Sequence, residues 1–181
     1  MPAAGSTTKS DARRRAVVAA AVRCFAHKGF YGTTTNEIAE AVGISQPYLY
    51  RLYPNKEALF ASAVDHVSVI MTETLTAHST PSDGAADPEA AVRAARDAYT
   101  ALVADRAILR FLMHANCAAD ETLVAEAVRR CYATQVDTVR RMLGDDDAVR
   151  RWFGSGMLDN VVAVLDLDGV DEPWARVLAA R

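Results

Sequence analysis

Residues 33–53 read Thr33-Thr34-Thr35-Asn36-Glu37-Ile38-Ala39-Glu40-Ala41-Val42-Gly43-Ile44-Ser45-Gln46-Pro47-Tyr48-Leu49-Tyr50-Arg51-Leu52-Tyr53. Thr34 stands three residues before Glu37, the spacing of a capping box, in which hydroxyl and carboxylate each accept an otherwise orphaned amide. A helix therefore starts near Thr35 and carries Ile38, Ala39 and Val42 as its apolar stripe. Gly43 supplies a residue that takes a positive φ past the last helical position, and Ser45 caps a second helix whose early Pro47 sacrifices no needed hydrogen bond. Helix, glycine turn and helix together have the spacing of a helix-turn-helix unit. Its second helix is suited to enter a DNA major groove with its first residues against the base edges. A plain helical hairpin has the same pattern, so charge must separate the two readings.

The chain has a formal net charge of −3, which alone argues against a nucleic-acid partner. Its distribution argues the other way. Residues 1–60 hold eight cations (Lys9, Arg13, Arg14, Arg15, Arg23, Lys28, Arg51, Lys56) against four acids, whereas the other 121 residues hold twelve arginines against nineteen acids. A basic end on an acidic body is the asymmetry expected when one module meets phosphate and the other does not.

Outward from the central stretch, the expected architecture is all-α. Residues 1–10 are small and polar and read as a disordered tail. Val17, Val18, Ala21, Val22 and Phe25 recur at helical spacing between Asp11 and His27. Arg13, Arg14 and Arg15 at the expected start of that helix oppose its dipole, for which phosphate contact is one reason. Lys28 to Gly32 form a turn, with Phe30 or Tyr31 closing a small core of Phe25, Ile38, Val42, Ile44 and Leu49. Pro54-Asn55-Lys56-Glu57 stops one helix and starts a long one to about His78. Residues 79–87 are the clearest loop. Helices are expected over 89–104, 106–119, 121–143 and 146–168, followed by a short piece from Pro173 to Ala180. Segment 106–119, apolar nearly all round, belongs at the centre of the body. The domain division is a tail over 1–10, a helix-turn-helix domain over 11–54 and a helical body over 55–181.

Segment 146–168 has an apolar face of Val149, Trp152, Phe153, Gly156, Met157, Val161, Val164 and Leu165. Leu158, Val162 and Ala163 lie off that face, and only Arg151, Ser155, Asp159 and Asp166 form a polar stripe. So little polar surface calls for two partners, the chain's own core and a second copy of the same helix. Trp152, Gly156, Leu158 and Val162 are the candidate dimer contacts.

Cys24, Cys117 and Cys131 show no C-x-x-C spacing and sit in apolar patterns, which predicts buried thiols in a reducing compartment. The N-terminus lacks an apolar stretch of signal-peptide length, and no run approaches ~18 uninterrupted apolar residues, so a cytoplasmic protein without a membrane segment is expected. No phosphate-cradling glycine loop is present, and Gly154-Ser155-Gly156 is no nucleophile elbow. The expectation is no enzyme, no cofactor and no metal. His114 and Cys117 lie at i, i+3 but have no evident third ligand.

Read together, residues 25–60 contain G-[FY]-x-x-T-T, then I-A-x-x-x-G-[VI]-S, then L-Y-x-x-[FY]-x-x-K-x-x-L. Over roughly residues 12–62 the sequence resembles the DNA-binding domain of TetR-family transcriptional regulators; residues 63–181 match only in helical layout. The resemblance implies an all-α homodimer with a three-helix DNA-binding end and a larger body that binds a small molecule. Gln46, Pro47, Tyr48 and Arg51 match positions that face bases, and Thr34, Tyr50 and Lys56 match phosphate contacts. Asn36 reaches either a groove edge or the backbone. The chemistry agrees: Gln suits adenine, Arg suits guanine and Pro can touch a thymine methyl. Pro47-Tyr48 stands where the family often has Gly-Thr or Gly-Ala. Candidate effector-lining residues are His66, Met71, Tyr99, Phe111, His114, Cys117, Tyr132, Gln135, Trp152 and Met157, each with core packing as its plainer role. The expected function is a repressor on a pseudo-palindromic double-stranded operator, released by a small molecule. The alternatives are a helical interaction module without DNA contact and a small enzyme.

Overall fold

Alanine-rich segments without β-branched runs, punctuated by Gly, Pro and Asx caps, produce an all-helical chain. The computed structural model describes residues 4–78 and 88–180. The loop expected over 79–87 and the first three residues of the expected tail lie outside the described residues. The helices are α1 (Ala4–Gly32), α2 (Thr35–Ala41), α3 (Gln46–Leu52), α4 (Lys56–His78), α5 (Pro88–Val103), α6 (Arg106–Cys117), α7 (Thr122–Leu143), α8 (Asp146–Leu165) and α9 (Pro173–Ala179), with a short 3-10 turn at Leu167–Gly169 before α9.

One start and one composition differ from expectation. Helix α1 begins at Ala4, so the expected tail is helical over its described part. Arg13 to Arg15 then sit well inside the helix, where the end-dipole argument no longer applies. Helix α4 is long and apolar enough by composition to cross a bilayer, with a mean hydropathy of 1.2. Its Leu59, Phe60, Ala63, Val64 and Val67 are nevertheless buried against protein.

The chain divides into two compact units, residues 1–67 with 110–131, and residues 68–109 with 132–181. The division departs from the boundary expected after residue 54. The physical reason lies in the first unit, where Phe60 of α4 packs at 4.6 Å from Phe25, 5.3 Å from Phe30 and 5.0 Å from Phe111 of α6, ring centre to ring centre. One aromatic core thus joins the helix-turn-helix segment to parts of α4 and α6. Val17, Ala21, Ile38, Leu49 and Val124 complete it, all essentially inaccessible. Helix α1 kinks at Gly29 (φ +71), and a Cβ there would lie 2.9 Å from the His114 ring. Helix α6 is more two-sided than its sequence suggests: Phe111 and Ala115 are buried, while Arg110, Asn116 and Cys117 are exposed.

In the second unit, Leu75, Ala98, Val139 and Val149 form a buried cluster covered by Val136, Met142, Leu143, Trp152 and Phe153. A smaller cluster of Val162, Leu167 and Ala175 seats the 3-10 turn and α9 on the end of α8. Between α4 and α7, Gln135 is buried and donates through Nε2 to Ser68 and Thr72, leaving its Oε1 without a partner.

Candidate nucleic-acid interface

The capping box forms as the spacing requires. Thr34 Oγ1 accepts the Glu37 amide at 3.2 Å, and the Glu37 carboxylate accepts the Thr34 amide at 2.8 Å. The Lys28 ammonium also pairs with Glu37. These hydrogen bonds, that of Lys28 foremost, hold the carboxyl down to a pKa of about 2. Helix α2 ends in a Schellman arrangement, Ile44 N to Ala39 O at 3.0 Å and Gly43 N to Glu40 O at 3.1 Å. Gly43 holds the left-handed position at φ +65. Ser45 then caps α3 by accepting the Tyr48 amide, with Pro47 in the first turn.

Helix α3 buries Leu49 and leaves Pro47, Tyr50 and Arg51 exposed, with Gln46 and Tyr48 half-buried. Thr34 and Asn36 on α2 are exposed as well. Gln46 Nε2 donates to Thr35 Oγ1 at 2.9 Å, and the Tyr50 hydroxyl bonds the same oxygen at 3.0 Å. The side-chain carbonyl of Gln46 has no partner among the described residues. The Arg51 guanidinium lies 5.7 Å from the centre of the Tyr48 ring, a cation–π pair at i, i+3. Asn36 Nδ2 donates to Glu40 at 2.7 Å.

Lys56 is placed differently from the other seven candidates. Its ammonium donates to the Phe30 carbonyl at 2.9 Å and the Thr33 carbonyl at 3.4 Å, and lies 4.3 Å from the Phe30 ring centre. Its bonds here tie the end of α1 to the start of α4. Arg14 is likewise engaged, donating to Leu52 O at 3.1 Å with its guanidinium over the Tyr53 ring. Arg13 and Arg15 are exposed.

Three contributors escaped the sequence reading. Thr33 is buried and donates to Gly29 O at 2.8 Å, closing the kink. Thr35 is buried and joins α2 to both Gln46 and Tyr50. Arg14 caps α3 from α1. The sequence signal for Thr33 and Thr35 is the run of three threonines, whereas Arg14 stands in the Arg13 to Arg15 run that the sequence offers to phosphate and is turned to Leu52 O instead.

The candidate effector-lining residues are divided between the two units. In the first unit, Phe111 is core, His114 packs on Gly29, Cys117 is exposed and His66 is half-buried. Of the three thiols expected to be buried, Cys131 is buried, Cys24 is half-buried and Cys117 lies exposed on the open side of α6; none is in a disulfide among the described residues. In the second unit, Met71 and Gln135 are core, while Tyr132 and Met157 reach solvent. Tyr99 and Trp152 come together, ring centres 5.4 Å apart and nearly perpendicular, on the wall of a cleft of about 250 Å³.

The dimer candidates also separate. Gly156 is buried, and a Cβ there would meet the Tyr99 ring at 3.1 Å. Val162 is buried under the 3-10 turn and α9, and the Trp152 indole donates to Ala95 O at 3.3 Å. Only Leu158 of the four is exposed. On α8 and α9 the large apolar residues left open are Met157, Leu158, Leu165, Trp174 and Val177.

A capped helix, a glycine turn and a second capped helix with an open polar edge make up a helix-turn-helix unit. Residues 17–63 match the profile of bacterial regulatory proteins, tetR family. That match covers the helix-turn-helix segment and the start of α4. The chain is 35% identical over 67 residues to the HTH-type transcriptional regulator RutR of Escherichia coli K12, covering 37% of this chain and 32% of that protein. It is 37% identical over 71 residues to the tetracycline repressor protein class C of Escherichia coli, covering 39% of this chain and 31% of that one. The match therefore spans about a third of these curated relatives.

Among solved structures, a TetR-like transcriptional regulator from Rhodococcus sp. RHA1 superposes with a TM-score of 0.64 at 22% identity, covering 92% of this chain and 91% of that one. FadR from Bacillus subtilis, solved in complex with stearoyl-CoA, gives 0.68 at 14% identity, covering 92% and 97%. These likenesses show that the helical layout beyond the matched segment is a fold shared with those two structures.

Proposed function

We propose that this chain is a cytoplasmic transcriptional repressor that reads a pseudo-palindromic operator as a homodimer and lets go when a small molecule binds its body. The observation that carries the DNA reading is the open edge of α3, where Gln46 and Tyr50 are held by one threonine while Arg51 projects beside Tyr48. Gln46 and Arg51 supply the donor patterns suited to adenine and guanine, and Pro47 and Tyr48 supply apolar contact. Thr34, Asn36 and Tyr50 are the positions offered to the phosphate backbone. Lys56 contributes by fixing the start of α4.

The partner copy is accommodated by the apolar surface of Met157, Leu158 and Leu165 with Trp174 and Val177, which no described residue of the chain covers. A two-fold dimer would present its two α3 helices to half-sites about one turn, ~34–36 Å, apart. Helix α4, whose residues fall in both units, is the element through which an effector in the body would bias that spacing. A ligand favouring the incompetent spacing weakens DNA binding, and DNA weakens the ligand by the same factor.

Selection of bound duplexes from a random pool, using the purified full chain, tests this. A palindrome with half-sites one turn apart is expected, with affinity falling linearly in log salt. Failure to retain any duplex at low salt would overturn the DNA reading and favour a helical interaction module. Sedimentation of Met157→Glu tests the partner surface: a dimer should become a monomer.

A further inference from the structure

Helix α8 carries Arg151, Ser155 and Asp159 at four-residue spacing, so they share one stripe. By composition that stripe belongs in solvent. Arg151 and Ser155 are exposed there and Asp159 is half-buried, but the stripe also borders α5, whose Val92, Arg96, Tyr99 and Thr100 lie opposite, and the two helices flank an open groove with two lobes. One lobe holds about 250 Å³ and the other about 130 Å³, and they share Arg96, Tyr99, Ser155 and Asp159.

The walls are fixed by internal bonds. The Tyr99 hydroxyl donates to the Gly156 carbonyl at 2.8 Å and contacts Asn160, so its ring cannot swing away. Trp152 is anchored through its indole N–H to Ala95. The charges, by contrast, are left open. Arg96 and Arg151 make no ion pair among the described residues, and Asp159 is the one carboxylate lining either lobe. Two guanidiniums against one carboxylate make this groove locally cationic in a part of the chain that is otherwise acidic. Guanidinium forks suit carboxylates, rings fixed edge to face form an apolar corner against which another ring can rest, and Ser155 and Asp159 can accept from a donor.

We propose that the α5–α8 groove binds a compact aromatic carboxylate bearing a hydroxyl or amino substituent, its carboxylate between Arg96 and Arg151 and its ring against Trp152 and Tyr99. The substituent donates to Asp159 or Ser155. The larger lobe falls just under the ~300 Å³ at which pockets for drug-sized ligands begin, so a single ring fits and a long acyl chain does not. This site deepens the reading of the body as an effector domain and rests on it.

Titration calorimetry on the full chain with 4-hydroxybenzoate, benzoate and 4-hydroxybenzamide tests the assignment. Saturable binding of 4-hydroxybenzoate is expected, with benzoate several-fold weaker and the neutral amide about tenfold weaker. Arg96→Gln and Arg151→Gln, both at exposed positions, should each weaken 4-hydroxybenzoate about tenfold. Asp159→Asn should act in the opposite direction on benzoate, tightening it, because it removes the opposing charge. No saturable heat with 4-hydroxybenzoate at millimolar concentration, equal binding of the amide, or indifference to both arginine variants would overturn the proposal. The selected duplex separates the two readings. Duplex bound without any carboxylate binding rejects this ligand class and keeps the regulator; carboxylate bound without any duplex keeps the groove and rejects the regulator.

Discussion

Helices α3 and α8 both border open surface, yet their side chains are placed by different means. In the seven residues of α3, the N-terminal cap, turn and orientation come from neighbours at most a few positions away or from the adjacent α2, Ser45, Gly43 and Thr35, and Arg14 of α1 adds a single bond at the far end. Helix α8 is capped just as locally, by Asp145 accepting the Ala148 amide, but the fate of its faces is decided by distant chain. Tyr99 comes 57 residues before the Gly156 it packs on, and Leu167 and Ala175 cover Val162. Local hydrogen bonding therefore fixes a reading helix, whereas a helix with three faces is sorted only by what packs on each.

The sharpest way to break this contrast is through the aromatic core under the reading helix. Phe60→Ala removes a fully buried ring in contact with three others and should cost about 3–5 kcal/mol, read as a lowered urea midpoint. A loss under about 1 kcal/mol would mean that α3 and its neighbours stand without that core. Next in size is Arg51→Ala, expected to weaken the selected duplex by about 1–3 kcal/mol and relax preference at one base position while leaving the urea midpoint unchanged.

Lys56→Ala sharpens the comparison from the other side. Its ammonium is spent on the Phe30 and Thr33 carbonyls, so the variant should lose about 1 kcal/mol of stability. The slope of log affinity against log salt should stay unchanged. A slope reduced by about one unit would restore Lys56 to the phosphate contacts. The smallest effect concerns pH. Glu37 is held at a pKa of about 2 against ~4.3 for an unfolded glutamate. Its depressed value stabilises the folded state above pH ~4.3, and that contribution fades as pH falls toward 2. Glu37→Gln should flatten this part of the stability–pH curve, as followed by circular dichroism.

The sequence made the helix-turn-helix legible because each of its devices acts over three residues: Thr34 with Glu37, Gly43 with Glu40, Ser45 with Tyr48. The start of α4 was legible for the same reason, with Asn55 accepting the Ala58 amide at 2.8 Å. What stayed hidden depends on contacts across the chain. Met157 and Leu165 read as core and are open, while Val162 reads as peripheral and is buried, because hydrophobicity does not say which apolar face the rest of the chain covers. Lys56 matches a phosphate-contacting position by motif, but only the packed end of α1 shows where its ammonium goes. Thr35 was indistinguishable in sequence from its two neighbours.

That threonine has a practical consequence. Because one hydroxyl on α2 holds two side chains of α3, residues 46–51 are not an interchangeable cassette. Grafting another regulator's reading segment onto this scaffold would strand the Thr35 oxygen in a buried position or crowd a larger newcomer against it. Re-targeting this protein to a new operator would require redesigning position 35 together with the graft.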